Sequence, residues 1–492
     1  MSRPNSDKSS LVDNEKTTPA PTSPADTKNL NTDQAHKPDL TNETTSLPTS
    51  DLEFGSPPKA SPPAHFNPQD NPDGGVQAWL CALGGFCVLF CSFGWINAIG
   101  EFTAYYETHQ LSHLAPSTTA WIASLMLFFM FAGGPVIGKI YDNYGPRWLL
   151  LIGMVLHVFG IMMTSLCSQY WQFLLAQGVV SPIGASMIFY PAMSTISTWF
   201  FRRRGMAFGI VASGSSLGGV VFPIMIQRLI VEVGFAWAIR ISGFLILALM
   251  IVANLTVKSR VPPFKQPWSG MDFVRPLQEI PFDLVSRTIS MPSTGGRTRK
   301  LTKHQQVSFG SFLFFLGMFL PINYIILEAE HYGMKPSLAQ YMVPILNAAS
   351  LFGRTIPGFL SDKIGRFNMM IIMCFFTAIL ILATWLPSTT NAPIIVFAAL
   401  FGFGSGAFVS LAPSLIAQIS DVRQIGVRTG TLFAIISLAA LISNPIGGAL
   451  ITRWNGSYTG LQIYGGVMTV AGSVFIMSAR VKLAGWKVSI KV

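Results

Sequence analysis

Two short stretches decide how this chain is built: Gly138-Lys139-Ile140-Tyr141-Asp142-Asn143-Tyr144-Gly145-Pro146-Arg147 and Gly358-Phe359-Leu360-Ser361-Asp362-Lys363-Ile364-Gly365-Arg366. Both read Gly, three residues, Asp, two residues, Gly, and then an Arg within two positions. Each follows the second long apolar run of its half of the chain. A bilayer span needs about 20 mostly apolar residues. Such runs lie near 77–102, 117–138, 148–167, 170–196, 205–227 and 236–256, and again near 307–329, 337–360, 368–386, 393–416, 429–450 and 459–480. The repeat therefore divides twelve spans into six and six.

Composition points the same way. Half of the 492 residues are hydrophobic and 11% are charged, against roughly 25% charged in soluble domains. The polar residues are gathered outside the runs. Residues 1–72 are rich in Pro, Ser, Thr and Asp, and they read as a disordered cytosolic tail with no signal-peptide pattern. Residues 257–305 read as a cytosolic link between a bundle at 73–256 and a second at 306–480, and 481–492 as a short cytosolic tail. With the N-terminus inside, inner loops hold Lys139, Arg147, Arg202, Arg203, Arg204, Lys363, Arg366, Arg423 and Arg428, and the link adds Arg297, Arg299, Lys300 and Lys303. Outer loops hold Arg228, Lys335 and Arg453. This bias places both termini in the cytosol. It also accounts for the net charge of +11 without any nucleic-acid partner.

The five cysteines lie in or beside apolar runs, without metal-ligand spacing, and read as reduced thiols. No cofactor is expected. Gly214-Ser215-Ser216-Leu217-Gly218 fits the nucleophile-elbow pattern, and Gly133 to Lys139 fits part of a phosphate loop. Both lie inside spans, where the strand–turn–helix setting such motifs need is absent. An enzyme is not expected.

The paired Gly-Asp-Gly-Arg segments closely resemble the loop motif of the major facilitator superfamily, whose halves are parallel repeats of six spans. The resemblance implies an all-α membrane fold and a latch at the cytosolic face. There Gly138 and Gly358 allow close helix approach, Asp142 and Asp362 accept hydrogen bonds from a neighbouring helix N-terminus, and Arg147 and Arg366 pair across the seam. Two further segments resemble the monocarboxylate-porter family in its fungal form. One is Asp73-Gly74-Gly75 with Trp79. The other runs from Trp199 through Arg202, Arg203, Gly205 and Gly209 to Gly214 and Gly218. Here Asp73 is expected to cap the first helix and Trp79 to sit in the interfacial belt, while the glycines form a packing seam.

Charge inside a span marks function by default. Arg354 lies about two turns before Asp362, roughly 12 Å along a helix. The resemblance implies that it binds a substrate carboxylate; the alternative is a structural pair with a backbone carbonyl or a carboxylate. Arg240 reads as an anchor, and Glu101, Glu328 and Glu330 lie near outer helix ends, where solvation is easy. Asn97, Tyr190, Asn323, Tyr324, Asn347 and Ser410 are the polar candidates for a central cavity, each also compatible with helix packing. Ser350, Asn97 and Leu174 stand where proton-linked members of the superfamily have an aspartate, a lysine and an arginine, which puts proton coupling in doubt. The expectation is a carrier of a small organic, carboxylate-bearing solute, with protons as a candidate co-substrate. Its place is the plasma membrane, or alternatively the vacuole. Export of a fungal secondary metabolite and a non-transporting sensor are the alternatives.

Overall fold

The computed structural model describes residues 71–263, 265, 303–485 and 490–491. The N-terminal tail to residue 70 and most of the central link lie outside the described residues. Everything described that is regular is helical; no strand occurs among the described residues. Among the described residues eleven helices are long and apolar enough to cross a membrane: α1 Val76–Thr108, α2 Thr118–Tyr144, α3 Arg147–Thr164, α4 Tyr170–Trp199, α5 Arg204–Val233, α6 Phe235–Thr256, α7 Gln306–His331, α9 Arg366–Trp385, α10 Asn391–Ile419, α11 Val422–Arg453 and α12 Thr459–Ala484. The twelfth, α8 Met342–Ile364, is diluted in hydropathy by Asn347, Ser350, Arg354, Asp362 and Lys363. It packs against α5 and α10 along its length, so Asn347, Ser350 and Arg354 are buried against protein, while Lys363 at its end is exposed. Large apolar side chains such as Leu255, Val155 and Phe244 are exposed on the outside of the bundle, as a lipid-facing surface requires.

Two boundaries differ usefully from the hydropathy reading. The α2 helix runs on to Tyr144 and α8 to Ile364, so Asp142 and Asp362 sit in last helical turns rather than in loops. Gly145 and Gly365 then end those helices at φ +79° and +101°, a conformation that strains residues with a Cβ.

Three helices contain π turns: Phe90–Gly94 in α1, Ala176–Val180 in α4 and Ile381–Trp385 in α9. Such turns leave carbonyls short of their usual donors. His157 of α3 is buried between the first two, with Nε2 3.1 Å from Cys91 O and Nδ1 3.0 Å from both Ser181 O and Ser181 Oγ. One neutral tautomer pairs both ring nitrogens, with Ser181 Oγ donating to Nδ1. That ties α1, α3 and α4 together.

Candidate functional site

The two halves meet along α2–α11 and α5–α8, and small residues set the spacing of both pairs. A Cβ on Gly134 would lie 2.5 Å from Gly430 O, and one on Gly138 would collide with Gly426 O. In the other pair a Cβ on Gly358 would lie 2.7 Å from Gly205 O, and one on Gly209 2.5 Å from Arg354 O. Helices this close exclude any side chain between them. Gly426 and Gly430 repeat in α11 the Gly205–Gly209 spacing of α5. The sequence carries that second repeat as Gly-x-x-x-Gly, and it passes unnoticed beside the more conspicuous Asp motif.

The remaining motif glycines of α5 face elsewhere. A Cβ on Gly214 would collide with Phe86 O, and one on Gly218 would lie 2.7 Å from the Cα of Gly94, both in α1. So α5 uses one glycine pair between halves and the other inside its own half.

At the end of the bundle where α2 and α8 finish, each pair carries an acidic cap. Asp142 accepts from Gly426 N (2.9 Å) and Val427 N (3.0 Å) at the start of α11. Asp362 accepts from Gly205 N and Met206 N, both at 2.9 Å, at the start of α5. Both carboxylates satisfy helix-terminal donors where the dipole favours an anion. The arginines do not match. Arg366 pairs with Asp362 at 3.1 Å and donates to Phe201 O at 2.6 Å, reaching the carbonyl end of α4. Arg147 is exposed at the start of α3 and has no hydrogen bond or ion pair among the described residues. Of the two arginines only Arg366 reaches across the seam, through its bond to Phe201 O. The intervening Pro146 delays Arg147 by one position, which rotates it off the seam.

Asp73 departs from the expected helix cap. The N-cap of α1 is Gly75, without a side-chain hydrogen bond. Asp73 has φ +49°, which turns its carboxylate away from α1 and onto the α4–α5 loop. One oxygen accepts from the backbone of Phe201 (2.6 Å), Arg202 (2.8 Å) and Arg203 (3.2 Å). Such a run of successive N–H groups is an anion-binding concavity. Trp79 packs on Phe200 with ring centroids 5.1 Å apart. The two family-like segments, far apart in sequence, are therefore one assembly, and Asp73 and Asp362 hold adjacent parts of the same turn.

Above this closed end lies a cavity of about 200 Å³ that runs from Arg354 outward to Glu101 and Gln340. Its wall is mainly apolar, with Phe93, Phe315, Phe319 and Met318 prominent. Among the described lining residues Arg354 is the one cation and Glu101 the one acid. Arg354 is 5% exposed. Its Nη1 donates to Ala212 O at 2.7 Å and to Ser215 Oγ, so a structural anchor to α5 exists. Its Nε is buried with no acceptor, and no carboxylate pairs with it among the described residues. Asn97 and Asn347 line the wall and flank Gly219. Asn323 also lines it, donating to Asn444 Oδ1 at 2.6 Å.

Three of the polar candidates lie off the cavity. Tyr190 is enclosed in the α2–α4–α11 seam, its hydroxyl on Phe131 O at 2.8 Å. Tyr324 lies against Gly447 and donates to Asn444 O at 2.8 Å, and Ser410 bonds within its own helix. Helix packing claims all three, because their hydroxyls find carbonyls closer than the wall. Arg240 donates to Ser165 Oγ and lies over Trp237. Glu328, by contrast, is not solvated at a helix end but fully buried.

Two helical halves, caps at one end and a cavity whose one lining cation is buried are the arrangement of a membrane carrier. Residues 81–390 and 307–487 match the family model described as Major Facilitator Superfamily, and the chain belongs to that family. It is 54% identical over 428 residues to "MFS-type transporter 1" of an Ophiocordyceps species, covering 87% of this chain and 90% of that one. It is 43% identical to the "Fujikurins efflux protein" of Gibberella fujikuroi, covering 86% of each. Among solved structures, the human organic anion transporter MFSD10 superposes with a TM-score of 0.64 at 14% identity, covering 82% of this chain and all of that one; this shows the fold alone. The chain is a multi-pass membrane transporter and not an enzyme.

Proposed function

We propose that this transporter exports an anionic organic metabolite across the plasma membrane, with Arg354 as the group that binds the anion. The observation that carries the reading is the state of that guanidinium. It sits at membrane depth, anchored through Nη1, with Nε unpaired and no counter-charge nearby. An intramembrane cation without a partner is costly, and an arriving carboxylate or other acidic group relieves that cost while gaining a charge-assisted hydrogen bond. The apolar wall supplies area for the rest of the molecule. Export rather than uptake is favoured by relatives such as the Gibberella efflux protein. A place in the fungal monocarboxylate-porter branch is supported by the Asp73–Gly75 and Trp199–Gly218 segments.

The present cavity is smaller than the about 300–1,000 Å³ that encloses drug-sized ligands. A bulky metabolite therefore needs the outer halves of α5 and α8 to part. Gln227 Nε2 of α5 donates at 2.6 Å to Gln340 Oε1, in the segment just before α8. On the cytosolic side, Asp142, Asp362 and Arg366 hold the closed state, and their release opens the cavity inward.

The test is metabolite profiling, inside and outside cells, with and without the gene and with Arg354→Lys. Loss of one or more acidic compounds from the medium, with retention inside, is expected for the deletion and for Arg354→Lys at unchanged surface expression. Normal export by Arg354→Lys would refute the role of the planar guanidinium.

A further inference from the structure

Glu328, three residues before the end of α7, is a buried acid that the cavity does not use. It is 0% exposed and turned toward α9 and α12. Trp385 Nε1 donates to its Oε2, and Gln462 Nε2 donates to its Oε1 at 2.6 Å and to Trp385 O at 3.1 Å. The π turn Ile381–Trp385 presents that indole. Both donors are neutral. The titratable groups within electrostatic reach are Tyr332, just past the end of α7, and Tyr458, at the start of α12. His331 lies against Tyr458 but is exposed. No lysine, arginine or histidine forms a salt bridge with Glu328 among the described residues.

A carboxylate so enclosed, facing only neutral groups, leaves its charge uncompensated. One proton removes that charge, and it adds a donor to a cluster in which Gln462 Oε1 is a buried acceptor with no partner. We propose that Glu328 is a proton-binding site within the C-terminal half, loaded while the cytosolic face is closed. Asn323 and Ile326 of the same helix line the cavity, so movement of α7 links the proton site to the solute site. The proton and the solute then occupy separate places, a route to coupling that needs no charge at Ser350, Asn97 or Leu174.

Infrared difference spectra of the full-length protein in lipid bilayers, recorded as pH is raised, test the site with the proton itself as probe. Wild type gives a carboxylic C=O band that Glu328→Gln lacks, at unchanged melting temperature. Trp385→Phe, which removes one donor but leaves the acid, keeps the band at a shifted frequency. A Glu328→Gln spectrum superimposable on wild type overturns the proposal, as does a Trp385→Phe band that does not move. If Glu328→Gln fails to fold, the Trp385→Phe shift alone decides. Coupling is read separately in exporting cells. Export rises as the medium is acidified in wild type and is indifferent to pH in Glu328→Gln, and a flat wild-type profile overturns the coupling. The infrared arm stands apart from the anion reading of Arg354, so the two can fail independently.

Discussion

Asp362 and Gly205 meet across the seam between the two halves: Asp362 Oδ1 accepts the Gly205 N–H at 2.9 Å, and the missing side chain of Gly205 is what lets α8 come that near. The same relation recurs between Asp142 and Gly426 at 2.9 Å. Two copies of one device thus close this end of the bundle, but they differ in support. Asp362 is also ion-paired with Arg366, which bonds Phe201 O, whereas at the first copy Arg147 contributes nothing and the nearby cation is Lys139 of the same helix.

Asp362→Asn is therefore expected to open the cytosolic face more than Asp142→Asn. Loss of a charge-assisted helix cap costs about 1–2 kcal/mol, which shifts a two-state ratio roughly 5–30-fold. Cytosolic labelling of a single cysteine placed at Ser405 in the cavity wall reads that ratio. Equal labelling in the two variants would sink the asymmetry.

The glycines of α5 separate gating from folding. Gly209→Ala presses on Arg354 O across the halves, and Gly214→Ala on Phe86 O within one half. Overpacking of this kind costs about 1–3 kcal/mol. Gly209→Ala should leave the melting temperature of the purified protein near wild type and lower export, because the halves already separate during the cycle. Gly214→Ala should lower the melting temperature and the expressed amount, because α1 and α5 stay together. Reversal of the two phenotypes contradicts the assignment of faces.

Much of this could be read from the chain, because hydropathy runs and loop motifs are local signals. The twelve helices, their pairing into halves and the two acidic motifs need only a short window of sequence. What escaped depends on groups brought together from different helices. Glu328 reads as a solvated helix end until Trp385 and Gln462 arrive from α9 and α12. Tyr190 and Tyr324 read as cavity groups until the carbonyls of Phe131 and Asn444 claim their hydroxyls. Asp73 reads as a helix cap by position, and only its positive φ sends it to the α4–α5 loop. Arg354 is the intermediate case: its depth follows from sequence, but its anchor on Ala212 O does not.

Cys167 offers a check on orientation. It follows α3 at the end away from Asp142, the end that the loop charges assign to the outside, and is half-buried with its thiol on Met163 O at 3.2 Å. Burial pushes the Cys167 thiol up to about 11, so its thiolate fraction at neutral pH is roughly a hundredfold below that of an ordinary cysteine. The other four cysteines are buried. An impermeant maleimide added outside intact cells should label the protein slowly, about tenfold faster for each pH unit gained, and not at all in Cys167→Ser. Labelling only from the cytosolic side would invert the topology.

The last expectation concerns Asp73. Its single oxygen satisfies three successive backbone N–H groups, the turn from which α5 starts and onto which Arg366 bonds. Asp73→Ala leaves those donors to water and frees a loop that contains Arg202 and Arg203. Charged hydrogen bonds of this kind contribute about 1.5–3 kcal/mol, and the loss falls on the loop rather than on α1, whose N-terminus Asp73 does not cap. Trypsin applied to inside-out membranes should therefore cut Asp73→Ala at Arg202 or Arg203 roughly ten times faster than wild type, as a loss of about 1.4 kcal/mol in local closing implies. Asp73→Asn, which keeps an acceptor at the same place, should fall between. If α1 frayed instead, the first helix would lose protection from hydrogen exchange over Val76–Trp79 while the loop stayed closed, and the assignment of Asp73 to the loop would fail.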